Sequence, residues 1–368
     1  MDPIVIIGGG IIGATLASQL RDHARPVVLY ERDTLGAGAS GDSVALFVWH
    51  QSTPARVSHE LRTRSWEHYE PRIRDGTFSF EQIGTLDVAR TEAEAEALRE
   101  LTTTLREFGA EASFLDPEAL SEHGLNPEAV RGAMATPDDG YLDPSEIIQH
   151  DVREATSAGV TVETKTAVTD IRTRDGAVTG VETESGTQPA AAVVNAAGPW
   201  APAVNEMVGV SLPLRHNRGP VVVLQKDDSF SLPFVQFGDG LYFRGEGHRQ
   251  AFAGSFGASY EDAGVLDPSA ARSVDHDFYL EIDDRVREAI PRLDDAELVN
   301  EWVGVRTLTP DGAPIVGETE VGGYFVAAGM NGLGVTLAPA VGEYLAAELT
   351  TGAADPTLRS YLSPGRFS

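Results

Sequence analysis

The chain has 368 residues, 42% of them hydrophobic, enough for more than one packed core and too many for a disordered chain. Asp and Glu total 56 against 28 Lys and Arg, a net charge of −28, which would repel nucleic acid and anionic membrane surfaces. Cysteine is absent, which rules out disulfides, thiolate metal sites and a cysteinyl cofactor bond, and fits a cytoplasmic protein. Lys165 and Lys226 are the only lysines, and an acidic surface nearly without lysine is expected to tolerate, and to need, high salt.

The first 31 residues predict strand, glycine turn, helix and strand. Ile4-Val5-Ile6-Ile7 is a β-branched run, Gly8-Gly9-Gly10-Ile11-Ile12-Gly13 supplies G-x-G-x-x-G, and residues 14–20 are mostly helix formers. Val27-Val28-Leu29-Tyr30 is a second apolar strand, ending at Glu31. In this pattern Gly8 permits the tight turn, Gly10 lets the backbone approach a pyrophosphate, and Gly13 lets helix and strand pack closely. Phosphates would rest on the helix N-terminus, where free N–H groups and the helix dipole offset their charge. Glu31 stands 18 residues beyond Gly13, placed to accept both hydroxyls of an adenosine ribose. Residues 4–20 are apolar enough to suggest a signal or membrane segment, but Met1-Asp2-Pro3 brings no basic flank, so no span is expected.

Residues 33–41 form a loop rich in Gly, Ala and Ser, followed by the apolar run 44–49. Helices are expected over 54–74, over 91–108 with Leu98, Leu101, Leu105 and Phe108 on one stripe, and over 145–158 before Gly159. From residue 160 the pattern changes to hairpins, with strands over 161–166, 168–174 and 178–184 and turns at Asp175-Gly176 and Ser185-Gly186. Residues 193–195 run as a strand into the small-residue turn Ala196-Ala197-Gly198-Pro199-Trp200. Residues 221–225, 240–244 and 250–255 read as antiparallel strands of a second domain. Arg306 is expected just after an apolar strand, 298–305, and before a turn. A strand over 324–328, a loop over 329–334 and a helix over 335–349 close the pattern. His50 and His59 read as surface or satisfied core histidines, and no metal-ligand spacing is evident.

Four stretches together resemble one family: Gly8 to Gly13 with Glu31-Arg32; Gly38-Ala39-Ser40-Gly41-Asp42-Ser43; Val193 to Trp200; and Trp302 to Arg306 through Asp311 to Gly317 and Gly329 to Val335. On these residues the chain is similar, almost end to end, to the D-amino-acid-oxidase-like flavoproteins, the group of glycine oxidases, sarcosine oxidases and D-amino-acid dehydrogenases. The resemblance implies an α/β (α+β) fold. A Rossmann-like FAD-binding domain would be assembled from residues 1–78, 145–212 and 300–368, and a second, antiparallel-sheet substrate domain from 79–144 and 213–299. It implies FAD rather than NAD; with no cysteine and no evident histidyl-attachment sequence, the flavin is expected to be held without a covalent bond. The implied contacts are Gly8, Gly10, Ile11, Ile12, Gly13, Glu31 and Arg32, then Ala39, Ser40, Gly41, Ser43, Val44 and Ala45, then Val168, Ala197, Gly198 and Trp200. Gly332, Leu333, Gly334, Val335 and Thr336 complete them, opening the last helix toward the pyrimidine edge of the flavin.

The resemblance further implies oxidation of a small or D-configured amino acid, or of an N-methyl relative. Arg306 would grip the substrate carboxylate with a two-pronged pair and Tyr242 would close the pocket, with Leu46, Arg218 and Gly332 as further substrate-side candidates. Leu46 stands where one D-amino-acid dehydrogenase has a pocket histidine, and Gly332 where glycine oxidase has a second arginine, so side-chain preference does not carry over. Read without the family, Arg306 could serve a structural ion pair, Tyr242 could be a packed sheet aromatic and Arg218 a solvated cation. A hydroxy-acid or polyol-phosphate dehydrogenase and a non-catalytic FAD-bound subunit are the rival functions. Expected partners are the amino acid, oxygen or a quinone-linked membrane acceptor, and further copies of the chain in a homo-oligomer.

Overall fold

The computed structural model describes residues 1–270 and 272–367. The β-branched runs Ile4–Ile7 and Val27–Tyr30, buried at every position, pair in parallel, as a sheet covered on both faces requires. They are central in a six-stranded sheet of order Ile315–Glu318, Tyr324–Ala328, Ala192–Asn195, Ile4–Ile7, Val27–Tyr30, Thr161–Glu163, parallel except for its Ile315–Glu318 edge. Helix Ile11–Gln19 is buried along almost its whole length. It packs so close to the first strand that a Cβ on Gly13 would lie 1.9 Å from the Gly8 carbonyl oxygen, which is why glycine stands there. Helix Gly334–Thr351 covers the same face, and a separate apolar cluster fills the other.

Residues 161–166 do not form the expected hairpin. Thr161–Glu163 joins the parallel sheet beside Val27–Tyr30, and the chain then turns at Lys165, whose φ of +56° is left-handed and whose N–H donates to the Asp33 carbonyl. Only after this turn do Val168–Arg174, Ala177–Thr183 and Gly186–Pro189 form a three-stranded antiparallel sheet.

An eight-stranded sheet makes the other half of the molecule, in the order Glu297–Leu308, Arg215–Gln225, Gln250–Ser255, Leu241–Glu246, Phe234–Phe237, Thr85–Ala89, Gly132–Thr136, Ser113–Leu115. All neighbours are antiparallel except Phe234–Phe237 with Thr85–Ala89. Alternation sorts its residues: Leu86, Val88, Val222, Val235 and Phe243 enter an apolar core with helix His276–Ala289, and the intervening residues face the six-stranded sheet. Glu297–Leu308 is longer than expected and includes Arg306, so that residue lies within a strand and not beyond its end. The whole strand pairs inside the eight-stranded sheet, and the expected boundary at residue 300 cuts through it. The helix at Glu92–Phe108 begins with a Thr91/Glu94 capping box and ends at left-handed Gly109, packed against strands of this sheet. No helix among the described residues is long and apolar enough to cross a membrane.

Candidate active site

A cavity of about 870 Å³ lies between the two sheets. One end is built from backbone. Gly8 is left-handed at φ +111°, and a Cβ on Gly10 would meet only the Ser40 hydroxyl, at 3.2 Å, so the turn presents bare main chain to the cavity. Ser40 accepts the Ile11 N–H at 3.0 Å, so one of the helix N-terminal donors is already occupied. Glu31 accepts the Gly9 N–H at 2.7 Å through one oxygen and the Asp33 N–H at 2.7 Å through the other. Its carboxylate is thereby fixed, with lone pairs left for two ribose hydroxyls. Arg32 stacks on Trp200, 3.9 Å from the ring centre, at the same mouth.

Of the residues named from sequence for the cofactor, Gly8, Gly10, Ile11, Ile12, Glu31, Arg32, Ala39, Ser40, Ser43, Val44, Val168, Ala197, Gly198, Trp200, Gly332, Leu333, Gly334 and Val335 line this cavity. Gly13, Gly41, Ala45 and Thr336 do not. Gly13 packs helix on strand, and a Cβ on Gly41 would press on the Gly36 carbonyl, at 2.8 Å. Ala45 is left-handed and buried. Thr336 is fully buried and works from behind the wall: its hydroxyl donates to the Leu46 carbonyl at 3.0 Å.

The other end is a wall of side chains. On the cavity face of the eight-stranded sheet stand Arg306 and Gly304, Gly219 and Val221, Tyr242, Phe234 and Gln236, and Thr85 and Asp87, one group per strand. Arg306 donates from Nε to Asn217 Oδ1 at 3.2 Å and lies over Phe256, 5.2 Å from the ring centre. It pairs with no carboxylate among the described residues, and burial draws it down only to about 10, so it is cationic at neutral pH. Gly332 lies against it: a Cβ there would be 3.3 Å from Arg306 Cδ, and φ is +86°. Tyr242 leans across Gly254, where a Cβ would lie 2.3 Å from the phenol oxygen, and packs on Phe256 at 4.9 Å between ring centres. Burial pushes its hydroxyl up to about 12, so the phenol stays protonated. Leu46, on the short strand Leu46–Phe47, also lines the cavity.

Arg218 is the misplaced candidate. One residue before Gly219, it points to the opposite face of the sheet, pairs with Asp275 at 2.6 Å and does not reach the cavity. His50, set aside from sequence, is in the wall: its Nε2 is 3.0 Å from Gln236 Nε2 and 3.7 Å from Asp87 Oδ2. Arg62, 2% exposed, donates to the Val48 carbonyl, to Ser58 and to the His50 carbonyl, holding that stretch of backbone in place. Neither residue had a readable signal: His50 meets Gln236 and Asp87 from distant segments, and Arg62 meets the Val48 and His50 carbonyls only once that stretch folds back on its own helix.

A glycine turn at a helix N-terminus, an anchored acid at the end of the second strand and a facing antiparallel wall with an unpaired arginine define a dinucleotide-dependent enzyme of two halves. The chain belongs to the DAO family of FAD dependent oxidoreductases, whose sequence profile matches residues 3–348. It is 31% identical over 355 residues to glycine oxidase from Geobacillus kaustophilus, covering 93% of this chain and 91% of that one. It is 28% identical to the mitochondrial sarcosine dehydrogenase of Mus musculus, but spans only 40% of that protein's length. Among solved structures, L-proline dehydrogenase from P. horikoshii superposes with a TM-score of 0.88 at 26% identity, covering 100% of this chain and 97% of that one. Glycine oxidase from Geobacillus kaustophilus superposes with 0.82 at 29% identity, covering 99% and 98%.

Proposed function

We propose that the chain oxidatively deaminates, or demethylates, a small or D-configured amino acid with FAD as the oxidant. Arg306 carries this reading, a cation set in the cavity wall with no acid beside it among the described residues. A buried charge without a partner is costly, and a ligand carboxylate that accepts two parallel N–H bonds from the guanidinium removes that cost. The glycine turn, the anchored Glu31 and the Gly332–Val335 segment fit a bound FAD, with the six-stranded half as the cofactor domain and the eight-stranded half as the substrate domain. When bound, the flavin would accept the hydride that leaves the substrate, from the α carbon in deamination or from the N-methyl carbon in demethylation.

The chain's own residues orient and enclose. Arg306 fixes the carboxylate and so restricts where the α C–H points, an orientation effect able to supply much of the rate. Phe256 and Tyr242 wall the cavity beside it and exclude water, and the protonated Tyr242 can donate a hydrogen bond to the substrate. No side chain is assigned as a dedicated base. The test is anaerobic mixing of the holoenzyme with a panel of amino, N-methylamino and hydroxy acids while flavin absorbance is followed. Bleaching by amino acids is expected, and bleaching by hydroxy acids alone would overturn the assignment.

A further inference from the structure

Asn217 and Arg306 are directly paired across the antiparallel strands Arg215–Gln225 and Glu297–Leu308, so their side chains stand side by side on one face of the sheet. Arg306 lines the cavity and Asn217 does not: it is 3% exposed and lies behind the guanidinium.

The Asn217 amide has one arrangement that satisfies its neighbours. Nδ2 donates to the Phe256 carbonyl at 2.8 Å and to the Ala258 carbonyl at 2.6 Å, which uses both of its N–H bonds. Oδ1 is left to accept, and it accepts the Arg306 Nε–H at 3.2 Å. A reversed amide would set its oxygen against two carbonyls and its NH2 against a guanidinium. The two carbonyls are themselves fixed. Gly257 between them is left-handed at φ +63°, where a Cβ would lie 2.3 Å from the Arg218 carbonyl oxygen and 3.4 Å from Asn217 Nδ2. Arg215, two residues earlier on the same face, donates to the Tyr260 and Glu261 carbonyls and holds the chain that follows.

This arrangement acts on both the direction and the charge of Arg306. Its Nε–H is occupied, and neither Nη has a hydrogen-bond partner among the described residues. The parallel pair of N–H bonds it can offer a ligand is therefore the end-on pair on Nη1 and Nη2, not the Nε edge. An aspartate at 217 would also hold Nε, but its charge would cancel that of the guanidinium. An amide oxygen aims the group without neutralising it, so the cation keeps its attraction for an incoming anion.

We propose that Asn217 is a positioning residue: it holds Arg306 by Nε so that the substrate carboxylate is gripped end-on by Nη1 and Nη2, and, being uncharged, it leaves the cation unquenched. This rests on the carboxylate-clamp reading of Arg306. The two effects of the amide separate chemically. Loss of the acceptor frees the guanidinium to swing but keeps its charge, whereas a carboxylate in its place keeps the direction and cancels the charge.

The test compares holoenzyme of the natural sequence with Asn217→Asp, Asn217→Ala and Arg306→Ala. Benzoate is titrated against the flavin spectrum, and the fastest amino acid of the panel and its primary amide are mixed anaerobically with each protein. Asn217→Asp should raise the dissociation constant of benzoate about tenfold or more, as Arg306→Ala does, and should alter reduction by the uncharged amide less than about twofold. Asn217→Ala should shift the benzoate constant less than about threefold and instead lower the reduction rate at saturating amino acid about tenfold, because the reacting C–H is no longer held in one direction. If Asn217→Asp does not retain flavin, Asn217→Ala decides: benzoate affinity lost with the saturated rate preserved is the opposite split and overturns the role. Variants that weaken acid and amide alike, or neither, also overturn it and leave the clamp standing. An Arg306→Ala protein that binds benzoate as the natural sequence does overturns the clamp itself.

Discussion

The two sides of the cavity are built by different means. The cradle beside the six-stranded sheet is mostly main chain, made by glycines, a helix N-terminus and one acid fixed by two backbone N–H groups. The wall on the eight-stranded sheet is made by residues on several of its strands, among them Arg306 and Asp87, neither of which has a charged partner of opposite sign among the described residues. A main-chain cradle recognises what all dinucleotides share, whereas a side-chain wall can be altered one residue at a time without touching the cradle. Cofactor binding and substrate choice are thus expected to separate under mutation.

The largest test of that separation is Gly10→Leu. The added side chain would fill the space where main chain faces the cavity, so the flavin-to-protein absorbance ratio should fall almost to zero, and normal occupancy would refute the cradle. Arg306→Ala should leave that ratio unchanged but reduce kcat/KM for amino acids about 100-fold, from loss of charge-assisted hydrogen bonds of up to about 3 kcal/mol. Arg306→Lys should recover part, because a point charge lacks the fork. Loss of flavin in the alanine variant would mean that the two sides do not separate.

Asp87→Asn should stabilise the substrate-free protein at pH 7.5. The folded-state carboxyl is raised to about 6 from an unfolded value near 4, so the charge is a burden above pH 6 that fades as pH falls toward 4. The variant's advantage, roughly 1–3 kcal/mol by the same linkage, should therefore be full in Tm scans at pH 7.5 and gone near pH 4. An advantage that persists at pH 4 would assign it to packing. The smallest effect is global: raising salt from 0.01 to 1 M shortens the Debye length from about 30 to about 3 Å, so Tm should rise by several degrees for a chain of charge −28. A salt-independent Tm would remove the high-salt reading.

Legibility in the sequence follows the same division. The cradle is local, so residue spacing alone placed the Ile11–Gln19 helix between its two strands, and the final strand falls at Tyr324–Ala328 as its residues suggest. The wall is not local. Thr85-Leu86-Asp87-Val88 alternates like any half-exposed strand, and only pairing with Phe234–Phe237 turns its polar face into the lining of a cavity. Arg218 and Arg306 look alike as cations near strand ends, and a single residue of register sends one to an ion pair with Asp275 on the opposite face and the other to the site. Thr336 shows the converse: it lies inside a recognisable motif, yet what its side chain does, bracing the Leu46–Val48 backbone, is visible only in the fold.

Trp302 donates its indole N–H to the Asp42 carbonyl at 2.9 Å, and Tyr324–Ala328 pairs with Ala192–Asn195, itself beside Ile4–Ile7. The loop that begins the site is therefore pinned by residues made some 260 positions later. During synthesis the glycine turn emerges first, yet its sheet and its loop lack their neighbours until residue 328 has cleared the ribosome. Flavin loading is accordingly an event of the finished chain, and a translation pause before that point leaves an apolar parallel sheet open at its middle strands, where a chaperone has most to protect.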